Sequence, residues 1–290
     1  MDRGHLFPYV VPNSQETGAI DFGPAAQIEL HAKLLRWFDY WLKDIDTGIM
    51  DELPVTVFTL GENHWQTLDD WPPPNAHEVP YYLYSAVGAN GLQGGGTLPT
   101  VPPAAERADR FTYDPEAPVP AGAGNNLTLP LGVVDQRDIE ARADVLVYTS
   151  EALDGPLEVT GPVHITLWAA SPAVDTRTSP RNWWASIQMA TQNLFDGIIR
   201  ARYRDSSSSP SLITPEQPYR YDIDLWATST VFQPGHRIRL EISSSNFPRF
   251  DQNLNTGLPF GEVVASQTTN QTAFHETEMA SSVHLLLIPC

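Results

Sequence analysis

Alternating apolar and polar residues, from about Val145 almost to the end of the chain, restrict its fold more than any other feature. Val163, Ile165, Leu167 and Ala169 fall on one side, and His164, Thr166 and Trp168 on the other. Tyr221, Ile223 and Leu225 alternate with Asp222, Asp224 and Trp226, and Ile238, Leu240 and Ile242 with Arg237, Arg239 and Glu241. Ile199, Ala201 and Tyr203 alternate with Arg200, Arg202 and Arg204, while Val283, Leu285 and Leu287 predict a closing strand. A period of two sends successive side chains to opposite faces of a pleated strand, so each run reads as a strand with one buried and one wetter face. Strands of this kind joined by turns predict a mainly β fold, an antiparallel jelly-roll β-sandwich. The 26 prolines and 19 glycines, spread along 290 residues, supply such turns.

One segment breaks the pattern. Over Pro24–Lys43, Ile28, His31, Leu35, Phe38 and Leu42 recur at spacings of three and four, with Leu34 and Trp41 widening the stripe. That period predicts an amphipathic helix, begun by a proline in its first turn and followed by Gly48. His31 on this stripe reads as a hydrogen-bonded core histidine. So wide an apolar face needs a large partner surface, which residues 1–23 cannot supply. The helix therefore packs on the downstream sheet, or its partner lies outside the chain. After it, Val55–Leu60 and Val79–Tyr84 read as strands, and Gly88–Thr100, with Gly94-Gly95-Gly96, as a linker or excursion. The division expected is 1–50 for the helical piece and 51–290 for the β domain.

Several function classes are disfavoured. A formal net charge of −18 repels nucleic acid and anionic membrane surfaces alike. No apolar run approaches the roughly 20 residues needed to span a membrane. With Cys290 alone, no intrachain disulfide can form. The first residues, MDRGHLFPYVVPNS, carry no h-region, so no signal peptide is expected, and Asn126-Leu127-Thr128 and Asn270-Gln271-Thr272 read as chance glycosylation matches.

Candidate chemistry is sparse. The chain has no Gly-x-Ser-x-Gly elbow, and Ser206–Ser209 reads as a turn ahead of Pro210. Cys290 has no neighbour to activate it. His164, His236 and His284 lie in or beside strands with no close His or Cys partner, so no metal site and no cofactor is expected. Asp44–Gly48 opens like a calcium loop, but its twelfth position is Val55, not an acid. His5 stands out by place, just ahead of the long helix, where the base histidine of an α/β-hydrolase would sit. Trp168, Trp184 and Trp226 fall on wet-face positions, where they suit either sugar rings or packing against another domain.

From Phe38 onward the chain resembles the cocaine esterase and Xaa-Pro dipeptidyl-peptidase family of serine hydrolases. The resemblance rests on FDYWLKDIDTGIMDELPVTVFTLGENHWQ (Phe38–Gln66), on Asp70-Trp71-Pro72-Pro73-Pro74 and on DQRDIEARADVLVYTSEALDGPLEVTGPV (Asp135–Val163). It continues through Ser171–Thr176, DGIIRARYRD (Asp196–Asp205) and WATSTVFQPGHRIRLEISSSNFPRFDQNLNTG (Trp226–Gly257). It implies the end of an α/β-hydrolase domain followed by a galactose-binding-like jelly roll that packs on it. It further implies that the nucleophilic serine and the aspartate belong to the upstream domain, so this chain alone is inactive. The family's base histidine falls on His5 or, by position, on Arg3, in a segment without the family's Gly-Pro-Trp. Asn126 and Leu127 are implied to line an acyl or leaving-group pocket. The implied substrate is a small ester or an Xaa-Pro peptide, cleaved through an acyl-enzyme. The alternatives are a free-standing carbohydrate- or ligand-binding sandwich and a structural module that mediates homo-oligomerisation.

Overall fold

The computed structural model describes residues 16–17, 20–104, 107–122, 132–172, 182–189, 192–255 and 266–289. In chain order, β1 (Glu16–Thr17) and β2 (Ile20–Asp21) precede a 3-10 turn at Pro24–Ala26 and α1 (Leu30–Lys43). Then come β3 (Val55–Thr59), β4 (His64–Leu68), β5 (His77–Tyr82), β6 (Tyr84–Ser85), β7 (Gly96–Thr97) and β8 (Asp109–Tyr113). A short α2 (Arg137–Glu140) leads to β9 (Leu146–Thr149), β10 (Leu157–Ala170), β11 (Asn182–Met189) and β12 (Gln192–Arg200). The last strands are β13 (Tyr219–Phe232), β14 (Ile238–Ser243), β15 (Thr269–Phe274) and β16 (Ser282–Ile288).

The long strand β10 organises the first sheet. Along one edge it pairs antiparallel with β13, from Leu157↔Phe232 to Ala169↔Tyr219. Its other edge takes β16 and then β15, and these are flanked by β5 and β8. The second sheet runs β12-β11-β14-β9-β7-β6, antiparallel except where β7 meets β9. Val163, Ile165, Leu167, Ile223, Val283 and Leu285 of the first sheet share one hydrophobic core with Ala185, Ile187, Leu240, Ile242, Leu146 and Tyr148 of the second. The alternation seen in the sequence is thus the inward-facing half of two stacked sheets. The β3–β4 hairpin attaches to the edge of β13, where the Leu60 amide donates to the Ser229 carbonyl and the Val231 amide to the Leu60 carbonyl.

Four expectations need correction. The strand expected through Tyr203 ends at Arg200, and Ala201–Tyr203 turn as a 3-10 helix. Conversely, β13 runs past Trp226 to Phe232, because a bulge absorbs one residue there: the partners of Pro162 and His164 are Ala227 and Asp224. Trp226 takes the left-handed conformation at φ 72°, and its amide is held by the Asp224 carboxylate at 2.7 Å. Gly88–Thr100 is no linker, since Gly96 sits in β7, where a Cβ would lie 2.1 Å from the Val147 carbonyl oxygen. Finally, Glu241 does not face water. It is fully buried, because α2 and the chain ahead of it cover the outer side of β9 and β14, where Val119, Ile139, Val145 and Val147 form a second small core.

Candidate functional site

The helix α1 has a polar and an apolar side. After the Pro24 turn it runs fourteen residues and ends where Asp44 adopts the left-handed conformation at φ 53°, the capping role expected of Gly48. Its polar side is tied down: Arg36 donates to Glu52 at 2.6 Å and to the Thr47 carbonyl at 3.0 Å, and Lys43 pairs with Asp39 at 2.6 Å. Its apolar side is not covered. Leu35 is 59%, Phe38 50%, Trp41 54% and Leu42 75% exposed, and Leu30 is the one buried residue of the helix. His31, expected as a core histidine, is exposed as well.

The segments 135–153 and 243–257, distant in sequence, come together around β12. Asn193 accepts from the Val134 amide at 3.0 Å and from the Gln136 side chain at 3.2 Å. Three residues on, Asp196 is held by Arg249 at 2.5 and 2.6 Å and by Asn246 at 3.1 Å. The Phe247 amide donates to the Val119 carbonyl, the Ala121 amide to the Phe247 carbonyl, and the Asn253 amide to the Tyr113 hydroxyl. A charge-assisted, largely buried pair such as Asp196–Arg249 fixes loop geometry better than apolar contact does. This rim therefore ties Ala121 and Val134 to the ends of β12 and β14.

Two acid–histidine pairs occur among the described residues with the contact a catalytic triad needs. His275 lies 3.1 Å from Asp109 but is fully enclosed in the core, its Nδ1 without a described partner. His284 places Nδ1 3.0 Å from Glu78 and Nε2 3.0 Å from the Ser282 hydroxyl, which reproduces the order Ser, His, Glu. Ser282, however, lies within β16 between β10 and β5, not on a strand-to-helix elbow. Ladder amides bond across to the neighbouring strands and do not converge on one point, so the described residues form no oxyanion hole beside Ser282.

The sequence-derived candidates fare unevenly. His5, Arg3, Asn126, Leu127 and Cys290 lie outside the described residues. Trp226 is 60% exposed and Trp168 half-buried on the outer face of the first sheet, and Trp184 falls in β11. The expectation that His164 and His284 have no histidine neighbour is overturned, because strand register makes them direct partners with rings stacked at 4.3 Å. Sequence reasoning also missed Asp196, Arg249 and Asn193. Asp196 and Arg249 stand inside the quoted segments Asp196–Asp205 and Trp226–Gly257, and Asn193 lies outside both.

The described residues form a two-sheet β domain that carries a helix with an exposed apolar stripe. The chain belongs to the family described as the X-Pro dipeptidyl-peptidase C-terminal non-catalytic domain, which matches residues 47–284. It is 41% identical over 223 residues to the cocaine esterase of Rhodococcus sp. (strain MB1 Bresler), covering 76% of this chain and 39% of that relative. Among solved structures it is similar to an aminopeptidase from the marine sediment archaeon Thaumarchaeota archaeon, with a TM-score of 0.78 and 26% identity over 96% of this chain and 47% of the other. It is also similar to an alpha-amino acid ester hydrolase, with a TM-score of 0.71 and 28% identity, covering 88% of this chain and 44% of the other. The chain thus spans less than half the length of each of these relatives.

Proposed function

We propose that this chain is the supporting jelly-roll part of a serine hydrolase of the cocaine esterase and Xaa-Pro dipeptidyl-peptidase type. In this reading residues 1–50 end an α/β-hydrolase domain, and residues 51–290 form the galactose-binding-like sandwich that packs on it and closes its active site. The observation that carries the reading is the uncovered stripe Leu35, Phe38, Trp41 and Leu42 on α1, continuous in sequence with the matched family domain. Apolar surface of this kind on a helix is covered by a partner in a finished protein.

The chemistry then runs on groups divided between the two parts. An upstream serine attacks the carbonyl of a small ester or of an Xaa-Pro peptide, His5 takes the serine proton and returns it to the leaving group, and an upstream aspartate orients the imidazole. Asn126 and Leu127 line the acyl or leaving-group pocket in this scheme. No metal or cofactor enters this scheme.

The isolated 290-residue chain is expected to hydrolyse neither p-nitrophenyl esters nor Xaa-Pro anilides faster than its His5→Ala variant. Loss of the nucleophile removes the covalent route altogether. Turnover by the unmodified chain clearly above that of His5→Ala would overturn the division of the triad.

A further inference from the structure

The outer face of the first sheet carries a cluster that the hydrolase reading leaves unused. His164 of β10 and His284 of β16 are directly opposed across the ladder, with rings 4.3 Å apart and 9° from parallel. Their sequence neighbours Val163, Ile165, Val283 and Leu285 fill the core, so both imidazoles project outward. Glu78, on the next strand β5, accepts from His284 Nδ1 at 3.0 Å. One ligand-type atom from each of Glu78, His164 and His284 lies within 4.8 Å of the other two.

We propose that Glu78, His164 and His284 form a binding site for a divalent first-row transition ion, best suited to Zn2+. Two imidazole nitrogens and one carboxylate oxygen, with water in the fourth position, make a four-coordinate set that zinc accepts readily. The metal takes the place of the proton between His284 Nδ1 and Glu78, and the neutral ring's one proton moves to Nε2. From there it is donated to the Ser282 hydroxyl, 3.0 Å away. An oxygen acceptor on the far nitrogen is what fixes the tautomer and orientation of a metal-bound histidine, and here it is already in place. His164 makes no side-chain hydrogen bond to a described residue, so it is free to turn out of the stack about its broad second side-chain torsion and aim a nitrogen at the same point.

The surroundings favour a dication. From β13, Asp224 sits opposite His164, and Arg220 is neutralised by Asp222 at 2.9 Å. Glu78 on β5 adds a further negative charge. Because the three ligands come from three adjacent strands, an ion here would also clip β5, β16 and β10 together.

The test is calorimetric titration of the chelator-stripped 290-residue chain with Zn2+ at pH 7.5, with Co2+ as a spectroscopic stand-in. The expected result is one ion per chain, a visible absorption band from four-coordinate Co2+ and a higher melting temperature with zinc bound. His164→Gln should weaken binding at least about tenfold and abolish the thermal shift, and Glu78→Gln should weaken it in the same direction. His284→Gln loses two native hydrogen bonds and could fail for that reason. His164→Gln loses none to a described residue, so it decides the matter. No zinc binding, or equal binding by the unmodified chain and His164→Gln, would overturn the proposal.

Discussion

Replacing Asp109 by alanine should destabilise the chain by about 3–5 kcal/mol, the cost typical of breaking a buried charge-bearing network by removing one partner. Asp109 is 2% exposed and accepts four hydrogen bonds: from the Ser85 hydroxyl at 2.6 Å, the Tyr148 hydroxyl at 2.7 Å, the Ala89 amide at 3.1 Å and His275 Nε2 at 3.1 Å. These partners span both layers, since Asp109 opens β8 of the first sheet whereas Ser85 and Tyr148 lie in β6 and β9 of the second. Burial alone would raise the Asp109 carboxyl, but the bonds from His275, Ser85 and Tyr148 outweigh it and hold the group below its usual range. A folded pKa below the unfolded one contributes stability above the unfolded value, and that stability is lost as the pH falls through the folded value. Urea denaturation of Asp109→Ala at pH 7, with an unchanged slope against denaturant, checks the figure. A loss under about 1 kcal/mol, the scale of a single ordinary hydrogen bond, would mean that the two sheets are not bolted here.

The second large effect has the opposite sign. Glu241 is fully buried, and neither carboxyl oxygen has a hydrogen-bond partner among the described residues. Burial pushes its pKa up to about 8 and the nearby Glu140 carboxylate adds to the rise, while Gln188 and Arg239 pull back too weakly to reverse it. Arg239 is already committed to Glu140, which it holds through two contacts of 2.9 Å. The folded chain therefore keeps the Glu241 proton while the unfolded chain, titrating near 4.5, has lost it. Between those values the native state binds more protons, so stability falls as pH rises from about 4.5 to 8 and is at its full level below that window. By pH 7 the cost is on the order of 3 kcal/mol. Glu241→Gln keeps the shape and removes the titration. Its stability relative to the unmodified chain should grow by that order between pH 5 and pH 8 in parallel urea titrations. Equal pH slopes for the two proteins would show that Glu241 does not hold its proton.

These residues mark where sequence reading succeeds and where it stops. Val163–Ala169 and Ile238–Ile242 were legible because a period of two is a local property, and the inward half of each strand follows from it. Glu241 alternates just as cleanly, yet which elements cover the outer face of β14 depends on α2 and the chain ahead of it, far away in sequence. Trp226 looked like the end of an alternating run because a bulge disguises the continuation of β13, and nothing short of the partner strand reveals the extra residue. The stacked pair His164 and His284 is a product of register between β10 and β16, which spacing along the chain does not encode. The apolar stripe of α1 was visible in the sequence, and so was its demand for a partner larger than residues 1–23. What the helix would meet was legible only through family resemblance, since the sandwich leaves Leu35, Phe38 and Leu42 in solvent.

That stripe offers the most direct test of the central claim, that this chain supports a catalytic domain which completes it. Fluorescence of a hydrophobic dye should rise on mixing with the dilute 290-residue chain. It should fall to background for the variant combining Leu35→Gln, Phe38→Gln and Leu42→Gln. Glutamine keeps good helix propensity, so circular dichroism should be unchanged between the two. Dye binding that disappears with the stripe is the result this account requires. An unmodified chain that binds no dye, or a triple variant that binds it equally well, would contradict it.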